Sequence, residues 1–194
     1  MKLYLNDISS IHGTKSDPFA THQKFLEFYI QKTTGDILEF GSGFGSTKFI
    51  RDLLKNTNRK LITYENNKSW IDDMIVKIPP NENHQYIYVK DWDEAINSIP
   101  KFNWSIVFID QSPWDARVTT MEHFKNHAEY IIIHDIDYFP TNNIFGKVLP
   151  DKTINFDDIS NNWKVYYPDH PWPYKTGPPT LVFSNTGKEI YNVL

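Results

Sequence analysis

Three glycines stand at alternate positions behind an acid in Glu39-Phe40-Gly41-Ser42-Gly43-Phe44-Gly45. Glycine takes φ values closed to other residues and lets a backbone pass close to a ligand, so this run reads as a cradle for a small molecule. Glu65 follows twenty positions after Gly45, and Asp91 comes later with Trp92 beside it. A carboxylate suits a diol, because it offers several acceptor lone pairs and no donor. Further along stand Asp110 and the pair His134-Asp135. Histidine, with an ordinary pKa near ~6.5, takes up a proton at neutral pH, and Asp110 is able to do so instead or to orient the ring. Asp110, Asp135 and Asp137 also offer hard oxygen ligands to Mg²⁺ or another divalent ion, which would lower the pKa of a bound hydroxyl. From the residues alone, both routes stay open.

These residues sit where apolar runs end. Asp36 to Phe40 reads as a short buried strand, followed by strands over Lys60–Tyr64, His84–Val89, Trp104–Ile109 and Tyr130–Ile133. The fourth, WSIVFI, is apolar enough to be central. Helical patterns fill the intervals: Thr47–Lys55, Ser69–Ile78, Trp92–Ile99 and Asp115–His127. An earlier helix opens at Asp17-Pro18, with Phe19, Phe25, Leu26, Tyr29 and Ile30 mostly on one face. Such alternation predicts an α/β fold with a parallel, doubly wound sheet. Trp163–Tyr167 and Thr180–Phe183 break the rhythm, joined by a Pro-rich connection with no helix, and are expected to pair antiparallel. The glycine run becomes the turn after the first strand, at the carboxyl edge where open α/β sheets bind ligands.

DILEFGSGFGS closely resembles the first motif of class I methyltransferases, which bind S-adenosylmethionine (AdoMet). VFIDQSP and YIIIHDID resemble the small-molecule and sugar O-methyltransferase branch of that family, and the resemblance spans roughly residues 35 to 140. It implies a Rossmann-like, mostly parallel seven-stranded sheet with an antiparallel C-terminal strand pair and helices on both faces. It further implies that Gly41, Ser42, Gly43 and Gly45 cradle the methionine part of AdoMet, with Glu39 near its amino group. Glu65 would bind the ribose hydroxyls, and Asp91 and Trp92 would read the adenine. Asp110, His134 and Asp135 would border the sulfonium as catalytic groups, Asp110 and Asp135 doubling as metal ligands if a metal is used. Trp114, Arg117, Asp137 and Tyr138 are candidate acceptor-binding residues, with Trp172 and Tyr174 as further aromatic walls. Two departures concern the subfamily: Pro113 stands where the branch carries a histidine, and His127-Ala128-Glu129 replaces its usual Gly-Gly.

The chain has 194 residues, 40% hydrophobic and 23% charged, enough for one domain with a sizeable core. Its expected parts are a lid and helix segment (1–34), a cofactor-binding core (35–140) and acceptor-side loops with the terminal strands (141–194). A net charge of −4 argues against a dedicated nucleic-acid surface. The absence of cysteine removes disulfides, thiolate nucleophiles and Cys-ligated metals. MKLYLNDISS lacks the apolar core of a signal peptide, and no apolar run approaches the ~18 residues of a membrane span, so a cytoplasmic location is expected. The expected reaction is methyl transfer from AdoMet to a hydroxyl of a small molecule, a sugar or glycan intermediate above all, by a monomer or homodimer.

Other readings stand beside it. They are methylation of another natural product or a protein side chain, a catalytically silent AdoMet-binding scaffold, and an NAD-dependent oxidoreductase. The last fits poorly, since Ser46 falls where a Gly-x-Gly-x-x-Gly/Ala motif wants a small apolar residue. His123 and His127, four apart, have a zinc-compatible spacing, but a solvated helix face explains them more simply.

Overall fold

A computed structural model describes residues 3–4, 20–135, 163–167, 180–185 and 190. Among them one sheet has the order β1-β7-β8-β6-β5-β2-β3-β4. Its strands are β1 (Leu3–Tyr4), β2 (Ile37–Phe40), β3 (Leu61–Glu65), β4 (His84–Tyr88), β5 (Trp104–Ile109), β6 (Ala128–Ile133), β7 (Trp163–Tyr167) and β8 (Thr180–Ser184). The five central strands β6, β5, β2, β3 and β4 run parallel. β8 lies between β6 and β7 and is antiparallel to both. The seven expected strands are present, and the two-residue β1 adds an eighth at the edge by pairing parallel with β7.

The helices are α1 (Gln23–Lys32), α2 (Phe49–Leu54), α3 (Lys68–Lys77), α4 (Trp92–Ser98) and α5 (Trp114–Phe124). Period-two alternation along the strands divides the core into two layers. Leu38, Phe40, Val107, Ile109, Ile131 and Ile133 pack against Trp92, Ala95 and Ile96 of α4 and Met121 and Phe124 of α5. Ile37, Ile106, Phe108, Tyr130 and Ile132 face Phe25, Leu26, Tyr29 and Ile30 of α1 and Ile50 and Leu54 of α2. Each large side chain so buried contributes about 1.5–3 kcal/mol.

Local chemistry corrects several sequence boundaries. Asp17-Pro18 lie outside the described residues; the helix follows a 3₁₀ turn at Ala20–His22. The turn expected at the glycine run continues as a π-type turn from Phe44 to Lys48, so that the helix expected from Thr47 starts at Phe49. Gly43 N donates to Thr47 Oγ1 at 2.9 Å and Thr47 N to Gly43 O at 2.8 Å, drawing the turn into the helix. α5 stops at Phe124 rather than His127, and β6 starts two residues earlier than Tyr130, because Ala128 pairs with Trp104.

The chain leaves β2 toward β3 and β4, then returns to place β5 on the other side of β2. The crevice between the ends of β2 and β5 is therefore the topological switch point, where such sheets bind ligands. The glycine turn and Asp110 open onto it together.

Candidate active site

Gly41 is the hinge of the turn, for two separate reasons. Its φ is +87°, a region that costs L-residues energy. A Cβ there would also lie 2.6 Å from the carbonyl oxygen of Asp110 and 2.9 Å from Cα of Gln111. The β5 end thus packs directly on the turn, and backbone bonds from Asp110 N to Phe40 O and from His134 N to Ile109 O keep the three strand ends level.

Glu65 closes the turn from the other side. Its Oε2 accepts from Ser42 N at 2.9 Å and Ser42 Oγ at 3.0 Å, and its Oε1 accepts from Asn67 N at 2.9 Å. Trp70 Nε1 donates to Ser42 O at 2.7 Å. Gly45 O accepts from Gln23 of α1 at 2.8 Å. Glu39 sits beneath the turn with no exposure, its Oε2 accepting from Thr63 Oγ1 at 2.7 Å. Burial pushes its carboxyl up to about 7, against a smaller downward pull from the Ser46, Thr63 and Thr47 hydroxyls. Its Oε1 still accepts no well-aligned hydrogen bond.

Asp91 is exposed and caps α4, accepting from Glu94 N at 2.9 Å. Trp92 is 6% exposed, packs on Phe40 and donates its indole N–H to Ser112 O at 2.8 Å. Both positions therefore have a structural task beside the adenine-reading one that the resemblance implies.

The strand ends of β5 and β6 carry a cluster of charges. Asp110 Oδ1 pairs with Arg117 Nη2 at 3.0 Å, and Asp110 Oδ2 lies 3.4 Å from His134 Nδ1. Asp135 Oδ1 lies 3.6 Å from the same nitrogen, and its Oδ2 is 3.9 Å from Arg117 Nη1. Asp135 has φ +55°, an uncommon value for a non-glycine residue, and this bend turns it back toward the cluster. Arg117 is 3% exposed, donates to Gln111 O at 2.8 Å and His134 O at 2.6 Å, and stacks on Trp114 at 3.8 Å. The arginine noted in the sequence as a candidate acceptor-binder thus serves as the internal counter-ion of the cluster.

Burial alone would lower the His134 pKa, but Asp110, and behind it Asp135, raise it above the ordinary value. Burial would raise Asp110; His134, Arg117 and His22 together bring it below the usual carboxylate range. Asp135 is raised, chiefly by burial. With His134 protonated, two carboxylates face two cations and the cluster is neutral.

Sequence reading missed His22. It is 4% exposed, edge-on to His134 with ring centroids 4.4 Å apart, and burial followed by the field of His134 lowers its pKa to about 3. Thr21 Oγ1 lies 3.4 Å from His134 Nε2. No local pattern announces this contact, since more than a hundred residues separate the partners.

One ligand atom each from Asp110, His134 and Asp135 lies within 4.8 Å of the others, the sole such group among the described residues; His123 and His127 form none. The donors fit a divalent cation, while Arg117 already offsets part of their negative charge. Asp137, Tyr138, Trp172 and Tyr174 lie outside the described residues.

No family model and no curated protein matches the chain. Among solved structures, it superposes on a Klebsiella pneumoniae protein provisionally assigned as an O-methyltransferase, with TM-score 0.58 and 14% identity over 94% of this chain and 88% of that one. An rRNA methylase from Streptococcus thermophilus gives TM-score 0.50 at 12% identity, over 84% of this chain and 92% of that one. A Staphylococcus aureus protein provisionally assigned as a caffeoyl-CoA O-methyltransferase gives 0.49 at 14% identity; the match takes in 61% of this chain and spans only 58% of that one. With the strand order, the likeness to the Klebsiella pneumoniae structure establishes the Rossmann-like fold of class I methyltransferases.

Proposed function

We propose that this chain transfers the methyl group of AdoMet to a hydroxyl of a small molecule, with a sugar or glycan intermediate as acceptor. The observation that carries the reading is the joint placement, at one switch point, of a glycine turn clamped by Glu65 and a His134–Asp110–Asp135 cluster balanced by Arg117. The turn and Glu65 hold the cofactor, and Asp91 with Trp92 borders its adenine. Asp110, with its side chain 28% exposed, is the most open member of the cluster and accepts the hydrogen bond of the acceptor hydroxyl. As the acceptor oxygen bonds to the methyl carbon, the carbon–sulfur bond breaks and its electron pair returns to sulfur. The hydroxyl proton passes to His134 Nδ1, directly behind Asp110. Positioning supplies much of the rate, and the base adds about 10²–10⁴-fold.

A divalent ion, when bound by Asp110, His134 and Asp135, supplies charge that lowers the acceptor hydroxyl pKa. Arg117 makes that site less negative than an all-carboxylate cage, so metal affinity is expected to be weak. No helix among the described residues is long and apolar enough to cross a membrane. The absence of cysteine is compatible with the cytoplasm, the location proposed.

Calorimetric titration with S-adenosylhomocysteine, on wild type and Glu65→Ala, tests the cofactor, with NAD as the competing ligand. Micromolar binding lost in the variant, while its melting transition persists, supports the reading; binding of NAD alone, or of neither, ends it. A screen of sugars, RNA and protein acceptors with and without Mg²⁺ then tests the substrate class, and methylation confined to RNA or protein overturns the glycan assignment. Because Asp110 raises the His134 pKa, the rate should climb with pH through a value above the ordinary histidine one and then level.

A further inference from the structure

A carboxylate offers about four lone-pair positions and no donor, and the chain itself already uses three of those on Glu65. Oε2 accepts from Ser42 N at 2.9 Å and from Ser42 Oγ at 3.0 Å, and Oε1 accepts from Asn67 N at 2.9 Å. A ribose diol brings two hydroxyl donors. The first fits the remaining position. The second fits only when one of the three bonds is given up.

The surroundings decide which bond yields. Two of the three donors are backbone amides, and each is fixed from both sides. Gly41 N donates to Tyr64 O at 2.9 Å and Ser42 O accepts from Trp70 Nε1 at 2.7 Å, so the peptide groups flanking the Ser42 amide are both tied down. Asn67 is the N-cap of α3: its side chain accepts from Trp70 N at 3.1 Å, and its carbonyl accepts from Ile71 N at 2.9 Å. Moving either amide would pull on the turn or on α3. Ser42 Oγ instead stands on a single rotatable bond with three staggered positions, on a half-buried residue. Turning that hydroxyl away leaves both backbone amides on Glu65.

We propose that the Ser42 hydroxyl holds the place of one ribose hydroxyl on Glu65 and yields it when AdoMet binds, a role that rests on the cofactor reading above. Ser42 thereby sets how strictly the site demands an intact diol. In the wild type, the second ribose hydroxyl only exchanges one hydrogen bond to the carboxylate for another, so its net contribution is small. A ligand with a single hydroxyl uses the remaining position and leaves Ser42 undisturbed. In Ser42→Ala, the second hydroxyl meets an acceptor position that no side chain contests, and it contributes in full. The backbone receptor is the same in both proteins, and one rotamer separates a tolerant site from a strict one.

Calorimetry on the full chain tests this with S-adenosylhomocysteine and its 2′-deoxy and 3′-deoxy forms, on wild type and Ser42→Ala. Loss of one hydroxyl should weaken binding to the wild type by about threefold or less, and to the variant by about tenfold or more. The intact ligand should bind the variant about three- to tenfold more tightly than the wild type. Equal affinity of the two proteins for the intact ligand overturns the proposal, and so does a wild-type loss as large as the variant's. Should Ser42→Ala disturb folding, the wild-type series decides by itself: a loss of about tenfold for either deoxy form means that each hydroxyl has its own place and Ser42 does not give way. Failure of the wild type to bind S-adenosylhomocysteine ends the cofactor reading itself. Binding that is lost in Glu65→Ala yet indifferent to Ser42→Ala keeps that reading and ends only the role of Ser42.

Discussion

The glycine turn and the charge cluster face each other across one crevice, yet they are built differently. On the turn side, Glu65 meets three donors at 2.9–3.0 Å, and Trp70 and Gln23 pin the backbone at 2.7–2.8 Å. On the cluster side, the ion pairs run from 3.0 to 3.9 Å, and neither ring nitrogen of buried His22 makes a well-aligned hydrogen bond among the described residues. Short neutral and charge-assisted hydrogen bonds make a rigid receptor that exists before any ligand arrives. Like and unlike charges held at longer range make a region whose protonation can change without dismantling the fold. A site that must hold one molecule firmly and move a proton on another needs both kinds of construction.

Substitutions sharpen this contrast, beginning with Arg117. Arg117→Met removes the buried arginine that faces two part-buried carboxylates, and denaturant unfolding should show a loss of about 3 kcal/mol. A loss below about 1 kcal/mol would mean the cluster is wet enough to shield itself, and the contrast with the turn would fail.

Glu39→Gln comes next. The wild-type carboxyl titrates at about 7 in the fold against 4.5 ordinarily, so the folded state holds its proton longer. Native stability should therefore fall as pH rises from 4.5 to about 7 and stay lower above that, by up to about 3 kcal/mol relative to Glu39→Gln. Equal pH profiles for the two proteins would place an ionised carboxylate comfortably beneath the turn.

Gly41→Ala meets both the positive φ and the Asp110 carbonyl, and should cost about 1–3 kcal/mol together with S-adenosylhomocysteine affinity. If affinity falls while stability holds, the turn is stiff only toward the ligand. The smallest expected effect separates two tasks at Asp91. Asp91→Ser retains a side-chain cap on α4 and should stay within about 0.5 kcal/mol of wild type, while its shorter reach weakens cofactor binding. Unchanged binding in that variant would leave Asp91 as a cap alone.

Much of this architecture is legible along the chain, because local periodicity is a local cause. The all-buried runs of β2 and β5, the apolar run Tyr130–Ile133 of β6 and the breaks at Gly35 and Pro79-Pro80 mark strands and helices within one or two residues. The glycine spacing likewise exposes the turn, since alternate glycines have few other uses. Helix ends were less legible: α5 stops at Phe124 because the next residues are drawn into β6 pairing, a cause that lies on another strand.

What the sequence determined by itself is the seven main strands with the helices between them, and the identity of the groups at the strand ends: Glu39, Glu65, Asp110, His134 and Asp135. Residue type and period suffice for that. Only tertiary structure decided which of these groups meet. Arg117 turned inward to neutralise Asp110, His22 came to rest on His134, and Glu39 joined Thr63 and His84 in a chain beneath the turn. The order in which strands lie side by side fixes those contacts, and strand order is set by packing of the whole sheet rather than by any stretch of residues.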